Sequence, residues 1–170
     1  MDKDVWYKKG VRFSCTQCGR CCTGPEGFVW VNDNEMKKIA QYLNISLEEL
    51  KEKHTHLVKR EENPKNGSLK KYKKKRSLTE IPSEKNPGDF DCTFLAEDGA
   101  CSIYPHRPKQ CRTYPFWPEI LKSKRSWENE ARYCEGINHK EANVVAFPSI
   151  QENLTEQIQY ERTHKPSEES

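Results

Sequence analysis

Cys15-Thr16-Gln17-Cys18-Gly19-Arg20-Cys21-Cys22 puts four thiols into eight residues with the spacing C-x-x-C-x-x-C-C, and four more cysteines follow at positions 92, 101, 111 and 134. Thiolate is the softest common protein ligand and selects zinc, copper(I) or iron–sulfur chemistry over calcium or magnesium. A tight turn between cysteines two residues apart can direct both sulfurs toward one centre. The octet therefore predicts a fold organised around metal. The other use of eight cysteines is a disulfide framework, which needs an oxidising compartment. Met1 to Gly10 contain no apolar run of the kind a signal peptide needs. A cytoplasmic setting and a metal site are expected.

The rest of the composition agrees with a core too thin to stand alone. The chain has 170 residues, 34% hydrophobic against 32% charged, with a mean hydropathy of −1.04. A structural metal often supplements such a core, because its binding free energy becomes folding free energy. The expected organisation is one cysteine-cluster domain over 1–140, followed by a polar tail over 141–170 that is partly disordered and partly helical around Leu154 and Ile158. No stretch approaches the roughly 20 apolar residues of a membrane helix, so no membrane partner is expected.

Outward from the cysteines the chain reads as short elements. Val11 and Phe13 lead into the knuckle in extended conformation, and Phe28-Val29-Trp30-Val31 reads as a short buried strand. Asn32 with Glu35 signals a helix start, Met36, Ile39, Ala40 and Leu43 share one face, and Asn44 offers a stop. Ser46-Leu47-Glu48-Glu49 reads as the capping box of a second helix with Leu47, Leu50 and His54 on its inner side. Lys65, Lys70, Lys71, Lys73, Lys74, Lys75 and Arg76 then form a basic run without an acid, read as an exposed hairpin or mobile loop around the Asn66-Gly67 turn. Lysines alone give an attraction to phosphate that salt weakens, and no recognised nucleic-acid module surrounds them. The run is read as a solvated face, and nucleic acid is not expected as a partner.

The second half of the chemistry follows. Cys92-Thr93-Phe94-Leu95 and Cys101-Ser102-Ile103-Tyr104 flank an Asp98-Gly99 turn and predict a β-hairpin with Cys92 and Cys101 across the strands. Pro105 opens a helical turn carrying Cys111 and Arg112, and Trp127 to Arg132 predict a brief helix delivering Cys134. The pattern F-x-C-x-x-C-G-x-C-C at Phe13 to Cys22, with C-x-F-L at Cys92 and C-x-I-Y-x-x-R-P-x-x-C-R-x-Y-P-F from Cys101 to Phe116, resembles the YkgJ-like cysteine-cluster family. The resemblance runs from about Phe13 to Cys134. It implies a zinc- or iron-chelating domain in which Cys15, Cys18, Cys21, Cys22, Cys92, Cys101, Cys111 and Cys134 are the metal-binding positions. The same cluster occurs in flagellin lysine N-methylases, which are longer proteins.

The residues alone leave the metal open. Four thiolates close a zinc site and eight suffice for two, while C-x-x-C-x-x-C is also the opening of the bacterial ferredoxin run. That run breaks off here, since Cys22 adjoins Cys21 and no x-x-x-C-P follows. Neighbouring side chains on extended backbone point to opposite sides, so Cys21 and Cys22 more easily serve two centres than one. Cys15, Cys18 and one of this pair are expected to join one distal cysteine, with the remainder grouped apart. Arg107 and Arg112 bracket Cys111 and supply cofactor-side charge compensation. His106, between Cys101 and Cys111, is the leading histidine. No G-x-S-x-G, H-E-x-x-H or P-loop pattern appears. The sequence thus predicts a small irregular α+β domain with a helix pair and short β-hairpins around zinc or iron, in mononuclear or iron–sulfur form. An iron–sulfur-dependent protein-modifying or redox enzyme and a zinc-stabilised interaction module using the basic loop stand as alternatives.

Overall fold

In this computed structural model, which describes residues 5–62 and 71–164, the best-formed local structure is the helix pair. Helix α1 (Asp33–Leu43) begins at a reciprocal cap: the Glu35 amide donates to Asn32 Oδ1 and the Asn32 amide to Glu35 Oε2, each at 2.9 Å. It stops where Asn44 turns left-handed at φ 54. Ser46 Oγ caps α2 (Leu47–Lys53) by accepting from the Glu49 amide at 3.0 Å. Only half of the expected capping box forms, because the Glu49 carboxylate instead accepts from Lys53 Nζ at 2.7 Å. Met36, Ile39, Ala40 and Leu50 are buried and Leu43 and Leu47 pack against them. The spacing of apolar residues thus becomes one continuous face.

The strands are short and antiparallel throughout. Strand β1 (Val11–Arg12) pairs with β7 (Val144–Val145), β2 (Thr23–Gly24) pairs with β6 (Phe90–Cys92), and β6 also pairs with β5 (Glu80–Pro82). A separate ribbon joins β3 (Thr55–Glu62) to β4 (Lys71–Leu78). Of the basic run, Lys71 to Arg76 lie in β4; Lys65, Lys70 and the Asn66-Gly67 turn lie outside the described residues. Short helices α3 (Lys109–Thr113), α4 (Pro118–Leu121) and α5 (Lys124–Glu130) follow, and α6 (Phe147–His164) ends the described chain. The domain is mixed α+β, as its sequence predicts.

Three expected elements take other forms. Phe28 to Val31 is no strand; it meets β4 through one Trp30–Ser77 bridge. The reason is competition from side chains: the Val29 amide goes to Ser77 Oγ and the Trp30 amide to Gln110 Oε1, which interrupts a ladder. The Cys92–Tyr104 hairpin shrinks to a tight turn with a single Leu95–Cys101 bridge, so Leu95 rather than Cys92 opposes Cys101. Cys92 is drawn off into β6 opposite Glu80. Helix α5 starts at Lys124, three residues before Trp127, because Ser123 Oγ caps the Ser126 amide at 3.1 Å.

The apolar residues form two small cores. One gathers Tyr7, Val11, Phe116, Ile120, Leu121, Trp127, Ile137 and Ile150, with Cys134 packed on its edge. The other gathers Val31, Met36, Ile39, Leu50, Leu78, Phe94 and Ile103, with Cys92 and Cys101 on its edge. Helix α6 falls within the stretch read as a polar tail, yet it buries Ile150, Gln157 and Tyr160. Thr113 Oγ1 donates to Gln157 Oε1 at 2.8 Å, and the Tyr160 hydroxyl donates to the Trp30 carbonyl. Its tertiary partners thus lie 44 and 130 residues away. Residues 165–170 lie outside the description.

Candidate metal centre

The cysteine knuckle is suspended between the two cores by its ends. At one end Phe13 bridges Ile137, and the Ser14 amide donates to the Gly136 carbonyl at 3.2 Å, which sets Cys15 beside the segment carrying Cys134. At the other end Thr23 stands opposite Asp91, which sets Cys22 beside Cys92. Between them Gly19 sits at φ +72, and an added Cβ would meet the Gly99 carbonyl oxygen at 2.4 Å. The middle of the knuckle therefore lies close against the turn before Cys101, with no room for a side chain at Gly19. A 3-10 turn, Arg20–Cys22, then closes with the Cys22 amide on the Gly19 carbonyl at 2.8 Å. Substituting Gly19→Ala adds a methyl against backbone in a conformation that L residues rarely adopt. We expect it to cost roughly 1–3 kcal/mol of stability, read as a lowered melting temperature; an unchanged melt would contradict this packing.

Helix α3 brings the remaining thiol. The Lys109 amide donates to Glu35 Oε1 at 2.7 Å, and Gln110 Nε2 donates to the Phe28 carbonyl at 3.0 Å. These bonds tie α3 to α1 and to the segment after the knuckle, and so fix Cys111. The outcome is one cavity of about 290 Å³ whose lining includes Cys15, Cys18, Cys21, Cys22, Cys92, Cys101, Cys111 and Cys134. All eight cysteines are free; Cys15 and Cys21 are exposed and the other six are half-buried. Among the described residues neither a carboxylate nor a histidine lines this cavity. His106 instead packs against Tyr42 at a 4.7 Å ring separation, and His54 stacks on Phe94. Leu78, Phe94, Ile103 and Pro108 supply apolar walls.

The thiols surround the cavity without converging on one point. Cys21 Sγ and Cys22 Sγ lie 3.9 Å apart. Among the described residues, no group of three or more cysteine, histidine or acidic side chains is placed to hold a single ion. The electrostatics are correspondingly mutual. The hydrogen bond from Cys22, opposed by desolvation and aided by Arg107, lowers Cys21 to about 7, while the same bond raises Cys22. Desolvation pushes Cys92 up to about 11 and raises Cys101, Cys111 and Cys134. Neighbouring thiols add to the rise at Cys111. A cluster whose members resist ionising together, and whose lining offers sulfur without a carboxylate or an imidazole among the described residues, fits a bound cation of soft character.

Arg107 and Arg112 both line the cavity but are not equivalent. The Arg107 guanidinium lies 3.7 Å from the Tyr104 ring centroid and its Nε donates to the Tyr104 carbonyl at 3.0 Å. So held, its charge favours the thiolate at Cys21, Cys101 and Cys111. Arg112 Nε donates to the Arg107 carbonyl at 3.1 Å and thereby braces the turn. Replacing Arg107→Met is expected to weaken metal binding by about 10–100-fold, as loss of an outer partner does, with Arg112→Met much milder. Competition against a chromophoric chelator measures both; equal effects would remove the distinction.

Two neighbours escape a sequence reading. Arg20 lines the cavity too, and its place inside the cysteine motif was the available signal. Glu130 accepts from the Tyr114 hydroxyl at 2.6 Å, and nothing in the local sequence marks it. Cys21, Cys111 and Tyr114 also face a second groove of about 270 Å³, whose other walls include Trp117, Glu130 and Tyr133. Among the described residues no helix is long and apolar enough to cross a membrane.

No solved structure matches the chain. A family model does: the CxxCxxCC family, described as a putative zinc- or iron-chelating domain, matches residues 14–135, a span that reaches from the residue before Cys15 to the residue after Cys134. The thiol-lined cavity is built within that span, and the chain belongs to this zinc- or iron-chelating family.

Proposed function

We propose that this protein binds zinc or iron through its eight cysteines as a polynuclear thiolate centre. The observation that carries the reading is the single cavity of about 290 Å³ whose lining contains all eight thiols. One tetrahedral zinc with bonds near 2.3 Å needs only four sulfurs, about 3.8 Å apart. Eight thiols around a wider space exceed that need, and that of one four-thiolate iron–sulfur cluster, and suit more than one metal atom. When bound, an iron–sulfur centre would supply electron transfer and a zinc centre would supply charge neutralisation and structure. This chain's own contribution is to orient the thiols, hold Arg107 over them and restrict water with apolar walls. The reading belongs with a reducing cytoplasm, where thiols stay available to metal.

A second reading, an iron–sulfur-dependent enzyme acting on another molecule, draws on the adjoining groove. Its shared wall of Cys21, Cys111 and Tyr114 gives a molecule in that groove direct access to the thiol side of the centre. Anaerobic purification followed by a visible spectrum and elemental analysis tests both. More than one metal atom per chain is expected. Brown protein with matching iron and sulfide favours the second reading, colourless protein with zinc opposes it, and one metal or fewer per chain would overturn the polynuclear centre.

A further inference from the structure

The β3–β4 ribbon is the part of the fold that the thiol cavity barely uses, and its charge is extreme. Its two strands hold seven lysines and arginines against Glu61 and Glu62, a net of +5 in a chain whose total is +3. The register places Lys59 opposite Lys74 and Arg60 opposite Lys73. Like charges directly opposite one another destabilise an antiparallel pair, and an isolated two-stranded ribbon is marginal to begin with. Lys59 and Lys74 are exposed, and Leu57 is 51% exposed. Among the described residues no third strand pairs with the ribbon.

The root of the ribbon is well fixed. Thr55, Ser77 and Leu78 are buried, Arg76 Nη1 donates to Thr55 Oγ1 at 2.8 Å, and the Val31 amide donates to the Arg76 carbonyl at 3.1 Å. A firmly rooted ribbon thus carries like charges at the same register on both strands. Protection of sheet edges against aggregation accounts for lysines in general. It is served equally well by mixed signs, whose cross-strand pairs would add stability. Glu62 stands opposite Lys71, but the two like-signed pairs, Lys59–Lys74 and Arg60–Lys73, leave a local excess of positive charge that favours an anionic partner.

The chemistry favours phosphate. Successive side chains of a strand alternate faces, so charges on one face recur about every 6.6 Å, close to every second phosphate step of about 3.4 Å along a duplex axis. The width of a two-stranded ribbon is one that the major groove of B-form DNA admits. Lysine is a point charge suited to phosphate rather than a fork suited to base edges. We propose that the β3–β4 ribbon is a duplex nucleic-acid interface that engages phosphates without reading sequence. Read from sequence alone, the basic run had no module around it; in the fold its Lys71 to Arg76 lie in one strand of a ribbon of defined register.

The test uses the full metal-loaded chain and fluorescence anisotropy with short DNA duplexes of two unrelated sequences, the corresponding single strands and polyglutamate. Both duplexes are expected to bind equally, with affinity falling at least about tenfold between about 50 and 200 mM salt. Lys59→Glu converts a like-charged pair into an opposite one, so the ribbon should stay folded and the melting temperature hold or rise. That variant is expected to lose at least about tenfold in affinity, with the salt slope reduced by about 1–2. Lys74→Glu reverses the polarity of the same pair and should behave alike. Affinity independent of salt, unchanged binding by both variants, tighter binding of single strands, or polyglutamate binding as tight as duplex would each overturn the interface.

Discussion

Stripping the metal is expected to lower the melting temperature further than any single substitution in either apolar core. The thiol cavity lies where the two cores meet: Phe13, Tyr114 and Cys134 pack on one of them, and Leu78, Phe94, Cys92 and Cys101 belong to or border the other. Each core alone is small. Structural zinc in peptides contributes about 10–16 kcal/mol of apparent binding free energy at neutral pH, as large as the whole stability of a small domain at about 5–15 kcal/mol. Removing such a centre also leaves desolvated thiols crowded together, which favours opening. Thermal melts with and without a strong chelator measure the effect. Hydrogen exchange should place the first loss in residues 13–24 and 90–112, with α1 and α2 holding longest. Equal melting temperatures would show that the cores need no metal between them.

Cys111→Ser is expected to have the second largest effect. Cys111 rides on α3, which is tied to α1 through the Lys109–Glu35 bond and to α6 through Thr113 and Gln157. Its position is therefore fixed by three elements. A serine there presents a hard hydroxyl to a soft metal and cannot shift to compensate. Bound metal should fall more than the 10–100-fold typical of losing an outer partner. The melting temperature should drop with it. Cys15→Ser, on an exposed residue of the knuckle, should retain more metal. Full occupancy in the Cys111 variant would contradict its place in the centre.

How much of this was legible in the sequence follows from how local each cause is. The α1–α2 pair was legible because Asn32, Glu35, Asn44 and Ser46 act on backbone within a few residues. The site was legible as a set of thiols because cysteine has few uses at this density. Its assembly was not legible. The pairings Ser14–Gly136 and Thr23–Asp91, and the close approach of Gly19 to Gly99, bring together segments about 70–120 residues apart through backbone that no residue type announces. The expected sharing of Cys15, Cys18 and Cys21 or Cys22 with one distal cysteine concerns which thiols hold which ion; the fold brings all eight to one cavity. Helix α6 was anticipated around Leu154 and Ile158, but its docking was hard to see for a related reason. Its inward face mixes Ile150, Gln157 and Tyr160, and the polar members are satisfied only by Thr113 and Trp30.

The suspension of the knuckle between distant segments has a consequence for synthesis. A ribosome delivers Cys15 to Cys22 first and reaches Cys134 only 112 residues after Cys22. At translation rates of about 5–20 residues per second, that interval is roughly 6–20 seconds. Until Cys92 follows, 70 residues after Cys22, the four early thiols stand on the nascent chain without any of the distal four. Any ion captured then is held by a partial set and must be released or re-coordinated when the later cysteines arrive. The correct cargo is thus decided after the polypeptide is nearly finished, and whatever occupies the early thiols meanwhile competes with it.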